Sequence, residues 1–136
     1  KLELAERLAA LVLARQYGIG NEREVVSPMP AAAYRAADGK SVTVEFENVG
    51  AGLTVSGHDP ADSLGMEVAG FSVGAYDYRT PARATVANRC AVTGEIPENA
   101  PDVSHVSYAF FRVVTPENAT LRGGNNLPAP AFSLAL

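Results

Sequence analysis

The chain reads as a mainly β protein, a small antiparallel β-sandwich preceded by one N-terminal α-helix. Three observations predict this. Lys40-Ser41-Val42-Thr43-Val44-Glu45-Phe46-Glu47 alternates strictly, so Val42, Val44 and Phe46 share one face while Thr43, Glu45 and Glu47 share the other. Twelve glycines and nine prolines punctuate the 136 residues, leaving apolar runs that suit short strands with frequent turns, a sandwich or small barrel rather than a doubly wound sheet. Residues 1–17 differ: Leu, Ala, Glu and Arg dominate, no Gly or Pro interrupts, and Gly18 stands at the expected helix stop.

The opening helix has an unusual surface. Leu2, Leu4, Ala5, Leu8, Ala9, Leu11, Val12 and Leu13 cover an arc of roughly 200°, about twice an ordinary amphipathic stripe. Such a helix needs cover on two sides. It also lacks an N-cap, because the chain begins inside it. Residues 1–20 are therefore expected to be the terminal helix of a domain that precedes Lys1, and residues 21–136 a separate C-terminal β-domain. The cover would be that domain, or a second copy of the chain.

After a connector, Val25-Val26-Ser27-Pro28-Met29-Pro30 reads as extended chain crossing a sheet edge, since two prolines exclude a central strand. Residues 31–36 form a short strand, Asp38-Gly39 a turn, and residues 40–47 the clearest strand. Leu53-Thr54-Val55 is a short strand between glycines, and Gly57-His58-Asp59-Pro60-Ala61-Asp62 a loop. Residues 66–73 form another strand, and residues 75–79 carry two tyrosines before Pro81. Residues 82–87 and 89–93 are two modest strands divided by Asn88, and residues 94–102 a loop.

Residues 103–114 are rich in β-branched and aromatic side chains and predict one long strand. Thr115-Pro116-Glu117-Asn118 stops it. In the return, Gly123-Gly124 relaxes the backbone, Asn125-Asn126 offers turn hydrogen bonds, and Pro128 and Pro130 hold the chain extended. Leu127 and Phe132 should pack on the sheet, tying the chain end down.

Composition excludes several classes. A net charge of −4 gives no footprint for nucleic acid or an anionic membrane, and no apolar run approaches a membrane span. One cysteine, Cys90, cannot form an intrachain disulfide and reads as a small buried apolar residue. Two histidines and one cysteine lack ligand-like spacing, so neither a zinc site nor another cofactor is expected. Gly18-Ile19-Gly20 follows a helix rather than a strand and is no nucleotide loop.

A Gly-x-Ser-x-Gly elbow is absent. His58 falls in a turn-rich loop, where an exposed imidazole is the default, and His105 in a strand, where partial burial is. Neither carries a flanking motif for catalysis. Tyr34, Tyr76, Tyr78 and Tyr108 are the residues that could stack on sugar rings, although the absence of tryptophan favours half-buried sheet tyrosines with wet hydroxyls. Asn118-Ala119-Thr120 matches a glycosylation acceptor, relevant only in a eukaryotic secretory protein. Asn125 and Asn126 suit backbone satisfaction in a turn, with a substrate-facing role left open. No residue is assigned to catalysis, cofactor or metal.

The order of several short pieces resembles one family. Ser107-Tyr108-Ala109-Phe110 and Asn125-Asn126-Leu127-Pro128-Ala129-Pro130-Ala131-Phe132 resemble the C-terminal end of sialate O-acetylesterases, SGNH-type carbohydrate esterases that close in an Arg-Tyr-Ala-Trp-like strand and a Gly-Leu-Pro-Ala-Ser-Pro-Phe-like tail. Ala5-Glu6-Arg7-Leu8-Ala9 is similar to the Gly-Glu-Arg-Leu-Ala of their last catalytic helix. Gly50-Ala51-Gly52-Leu53 and Gly65-Met66-Glu67-Val68-Ala69-Gly70 are similar to their Gly-Ser-Gly-Leu and Gly-Phe-Glu-Ile-Ala-Gly. The resemblance implies a parent enzyme that hydrolyses acetyl esters on sugars, with its serine nucleophile far upstream and an Asp-x-x-His pair just before the helix that opens this chain. It implies a secreted, periplasmic or lysosomal setting, and a structural role for this segment. The alternatives are a stand-alone carbohydrate-binding module and a structural sandwich for protein contacts.

Overall fold

A computed structural model describes residues 27–75, 79–98, 103–110, 114–115 and 117–136. The expected helix over residues 1–17, Tyr76 and Tyr78 lie outside the described residues. Among those described, eleven strands and one helical turn make three sheets, all with antiparallel pairing. No helix among them is long and apolar enough to cross a membrane.

The five-stranded sheet runs β1 (Met29–Arg35), β2 (Ser41–Glu47), β8 (Ala91–Glu95), β7 (Ala84–Asn88), β4 (Glu67–Val68). Its register explains the alternation in the sequence. Val44, Val92 and Val86 line up across three strands, and Val42, Gly94, Ala84 and Val68 make the next row. Thr43, Thr93 and Thr85 form the row between, with the Thr43 and Thr93 hydroxyls 3.3 Å apart. A single-residue slip would exchange the valine and threonine rows, so the register is strongly specified. β1 takes the edge, where Pro30 costs no ladder bond inside the sheet.

The four-stranded sheet runs β11 (Phe132–Ala135), β9 (His105–Tyr108), β5 (Phe71–Gly74), β6 (Arg79–Pro81). Phe132, Tyr108 and Phe71 stand in one row, and Leu134, Val106 and Val73 in another. The small third sheet pairs β3 (Thr54–Val55) with β10 (Leu121–Arg122). Buried side chains of all three sheets join one core. Phe132 touches Phe46 across it, ring centroids 5.8 Å apart and edge to face.

Four sequence expectations need correction. Residues 66–73 are two strands rather than one: β4 belongs to the five-stranded sheet and β5 to the four-stranded one. The chain changes sheet at Gly70, whose φ of +116° and close neighbours, Asn118 O and Tyr108 Cε1 each 3.0 Å from where a Cβ would stand, admit only glycine. β6 then leads back through Ala82-Arg83 into β7. Among the described residues of the long strand expected over 103–114, only β9 is strand, which ends where Ala109 turns to φ +54° and sends its N–H to Gly70 O. The loop after β3 contains a helical turn, α1 (Pro60–Ser63). Its buried Ser63 accepts a hydrogen bond from the β3 Val55 N–H and donates to Asp59 O. Cys90 is exposed in the β7–β8 turn, not buried, its N–H and thiol both directed to Asn88 Oδ1.

Candidate functional site

Where the strands stop, two loops distant in sequence meet. Gly124 N–H donates to Val49 O at 2.7 Å, and the buried Thr54 hydroxyl donates to Gly123 O at 3.2 Å. The return hairpin is closed by Gly123 N–H to Leu127 O, Asn126 N–H to Gly123 O and Leu127 N–H to Asn125 Oδ1. The asparagines thus serve the turn as the sequence indicates, Asn125 through its side chain and Asn126 through a left-handed φ of +65° that asparagine tolerates. Arg122 fastens the hairpin, donating to Asn126 O and to Ser56 Oγ.

On the other side, His58 N–H donates to Val55 O, closing a turn that Ser63 anchors to β3. Between this turn and the hairpin opens a cleft of about 250 Å³ lined by Thr54, Gly57, His58, Asp59, Pro60, Gly123, Gly124 and Asn126. His58, Asp59 and Asn126 are exposed, and none of their three polar side chains hydrogen-bonds to another described residue. His58 and Asn126, some seventy positions apart, are brought together here; periodicity carried no sign of that pairing.

A larger cleft of about 430 Å³ lies at the sheet-switching corner, lined by Val55, Val68, Phe71, Pro81, Ala82 and their neighbours. Its size is not matched by chemistry. Most of the wall is aliphatic or backbone, and its charged pair, Arg83 and Glu67, is closed on itself at 2.9 Å. The smaller cleft is the better candidate because its His58, Asp59 and Asn126 side chains are not engaged.

The remaining candidates are dispersed. His105 is half-buried on β9, its Nδ1 2.9 Å from the Ser104 hydroxyl, and neither residue lines either cleft. Asn118 is held in a reciprocal pair, accepting from Thr115 N–H and donating its own N–H to Thr115 Oγ1, while Thr120 Oγ1 accepts from Ala69 N–H. Among the described residues no group of three His, Cys, Asp or Glu stands together as metal ligands would.

The tyrosines part company. Tyr34 is exposed on β1 and donates to Glu45 Oε1 at 3.1 Å; that bond to a carboxylate raises its pKa. Tyr108, expected to keep a wet hydroxyl, is fully buried instead, and its oxygen accepts the Leu121 N–H at 2.8 Å. It joins the four-stranded sheet to β10 and has no surface for a sugar. Burial pushes its hydroxyl up to about 12 from 10.0, partly offset by the Leu121 N–H and by Arg122. A neutral form favoured by folding contributes stability fully present below pH 10 and lost as pH rises toward 12, about 3 kcal/mol at most. Tyr108→Phe should cost about 1–3 kcal/mol at neutral pH, because the Leu121 N–H is left buried without a partner. It should also flatten the fall in stability above pH 10; urea titrations at pH 8 and pH 11 would show both effects.

No family model matches the chain, and no curated protein matches it in sequence. Among solved structures it is similar to a carbohydrate acetylesterase from Xanthomonas citri, with a TM-score of 0.72 and 22% identity. The superposition takes in 97% of this chain but 27% of that enzyme. At this identity the likeness is one of fold, and this chain spans about a quarter of the other's length.

Proposed function

We propose that the chain is an accessory β-domain of a carbohydrate esterase, supporting a catalytic domain rather than performing hydrolysis itself. The observation that carries this reading is the fold match, which takes in nearly all of this chain and only 27% of an acetylesterase acting on carbohydrate. The finer identification, the C-terminal part of a sialate O-acetylesterase, rests on the order of the short motifs. Two of those motif regions meet in space: Gly124, next to the Asn125–Phe132 piece, bonds back to Val49, next to the Gly50–Leu53 piece. In this reading the two larger sheets are the layers of a small sandwich. The broad apolar arc of residues 1–17 would be covered by the catalytic domain or by a second copy of the chain.

An accessory domain makes a clear kinetic prediction. The chain alone should not hydrolyse p-nitrophenyl acetate or O-acetylated sialic acid above the buffer rate, since activation of a serine needs a base aligned on it. Turnover abolished by His58→Ala or His105→Ala would overturn the accessory role and make this chain an enzyme in its own right.

A further inference from the structure

We propose that the cleft between the His58 turn and the Gly123–Asn126 hairpin is a subsite for an uncharged sugar residue. The choice of ligand rests on the carbohydrate-esterase reading; the location rests on the cleft alone. At about 250 Å³ it has room for one pyranose ring. Its unengaged groups are the Asp59 carboxylate, which only accepts, the Asn126 carboxamide, which donates and accepts, and the His58 imidazole, which can do either. Sugar hydroxyls are donors and acceptors at once, and a neighbouring pair of them matches a carboxylate with two acceptor oxygens.

Charge decides between sugar classes. Asp59 is the one carboxylate among the described lining residues, none of which is Lys or Arg, while the Arg122 guanidinium is engaged by Asn126 O and Ser56 Oγ. An anionic sugar would bring its carboxylate against Asp59 with no lysine or arginine among the described lining residues to compensate. The cleft therefore selects a neutral residue of a glycan over a sialic acid carboxylate. The Pro60 ring offers a small apolar contact and no aromatic side chain is among the described lining residues, so binding should be weak, with Kd on the order of 1–10 mM.

The test is a titration of the 15N-labelled full chain with glucose, galactose and N-acetylglucosamine, each to about 100 mM, well above the expected Kd, with N-acetylneuraminic acid as the anionic comparison. At least one neutral sugar should produce saturable shifts at the amides of Gly57, His58, Gly124 and Asn126, and N-acetylneuraminic acid should bind more weakly. Asp59→Asn and Asn126→Gly should each weaken that binding roughly tenfold. The second variant keeps the hairpin, since glycine adopts the +65° φ of Asn126 without strain. Silence from all three neutral sugars, unchanged binding in both variants, or tightest binding of the anionic sugar would each overturn the proposal. None of these results touches the accessory-domain reading, which falls only if the chain itself proves to be a hydrolase.

Discussion

Phe132→Ala should destabilise the protein by about 3–5 kcal/mol, the range for deleting a buried aromatic ring. Phe132 lies on the last strand, yet its ring is the hub of the aromatic core, with centroids 5.8 Å from Phe46, 6.1 Å from Phe71 and 5.8 Å from Tyr108. Phe46 comes from the five-stranded sheet and the other two from the four-stranded one, so the ring joins both sheets. Against a total stability of about 5–15 kcal/mol, this one truncation approaches the threshold of folding. Removing residues 125–136 also strips four paired residues from β9 and should abolish the cooperative transition. Urea unfolding followed by far-UV dichroism checks both. An unchanged midpoint in either variant would mean that the tail is not part of the core.

Gly124→Ala should be nearly as damaging, for a different reason. A Cβ at this position would stand 2.6 Å from Ala51 N, 3.0 Å from Gly52 N and 3.1 Å from Gly52 O. All three are backbone atoms, which cannot rotate out of the way as a side chain can. Overpacking of this kind costs about 1–3 kcal/mol or more, and it would force apart the loops that form the cleft. Gly94→Ala supplies the contrast. Gly94 lies within β8 at ordinary φ, and among the described residues its added Cβ would meet only the Ala84 Cβ, at 3.9 Å. Filling that space and stiffening the unfolded chain should raise stability by about 0.4–1 kcal/mol. Thermal melts of the two variants should move in opposite directions. A shift of the same sign in both would show that the tight approach at Gly124 relaxes without cost.

Within the described residues, the sequence by itself determined whatever depends on a short repeat. The inward Val42, Val44 and Phe46, the turn at Asp38-Gly39, the edge position of β1 and the docking of the tail all follow from alternation, proline and turn chemistry acting over a few residues. An exposed His58 and a half-buried His105 belong to the same class. Only the tertiary structure decided where apolar runs break. Residues 66–73 and 103–114 look continuous because composition is blind to a change of sheet, and the breaks occur where Gly70 and Ala109 approach each other and exchange a hydrogen bond. Tyr108 and Cys90 were misjudged because burial belongs to the whole packing: Tyr108 found a backbone partner in Leu121, thirteen residues on, while Cys90 fell in a turn. The cleft was equally beyond local reading. Its walls come from positions near 58 and near 125, joined by contacts between Val49, Thr54 and the glycine hairpin that no spacing rule along a chain encodes.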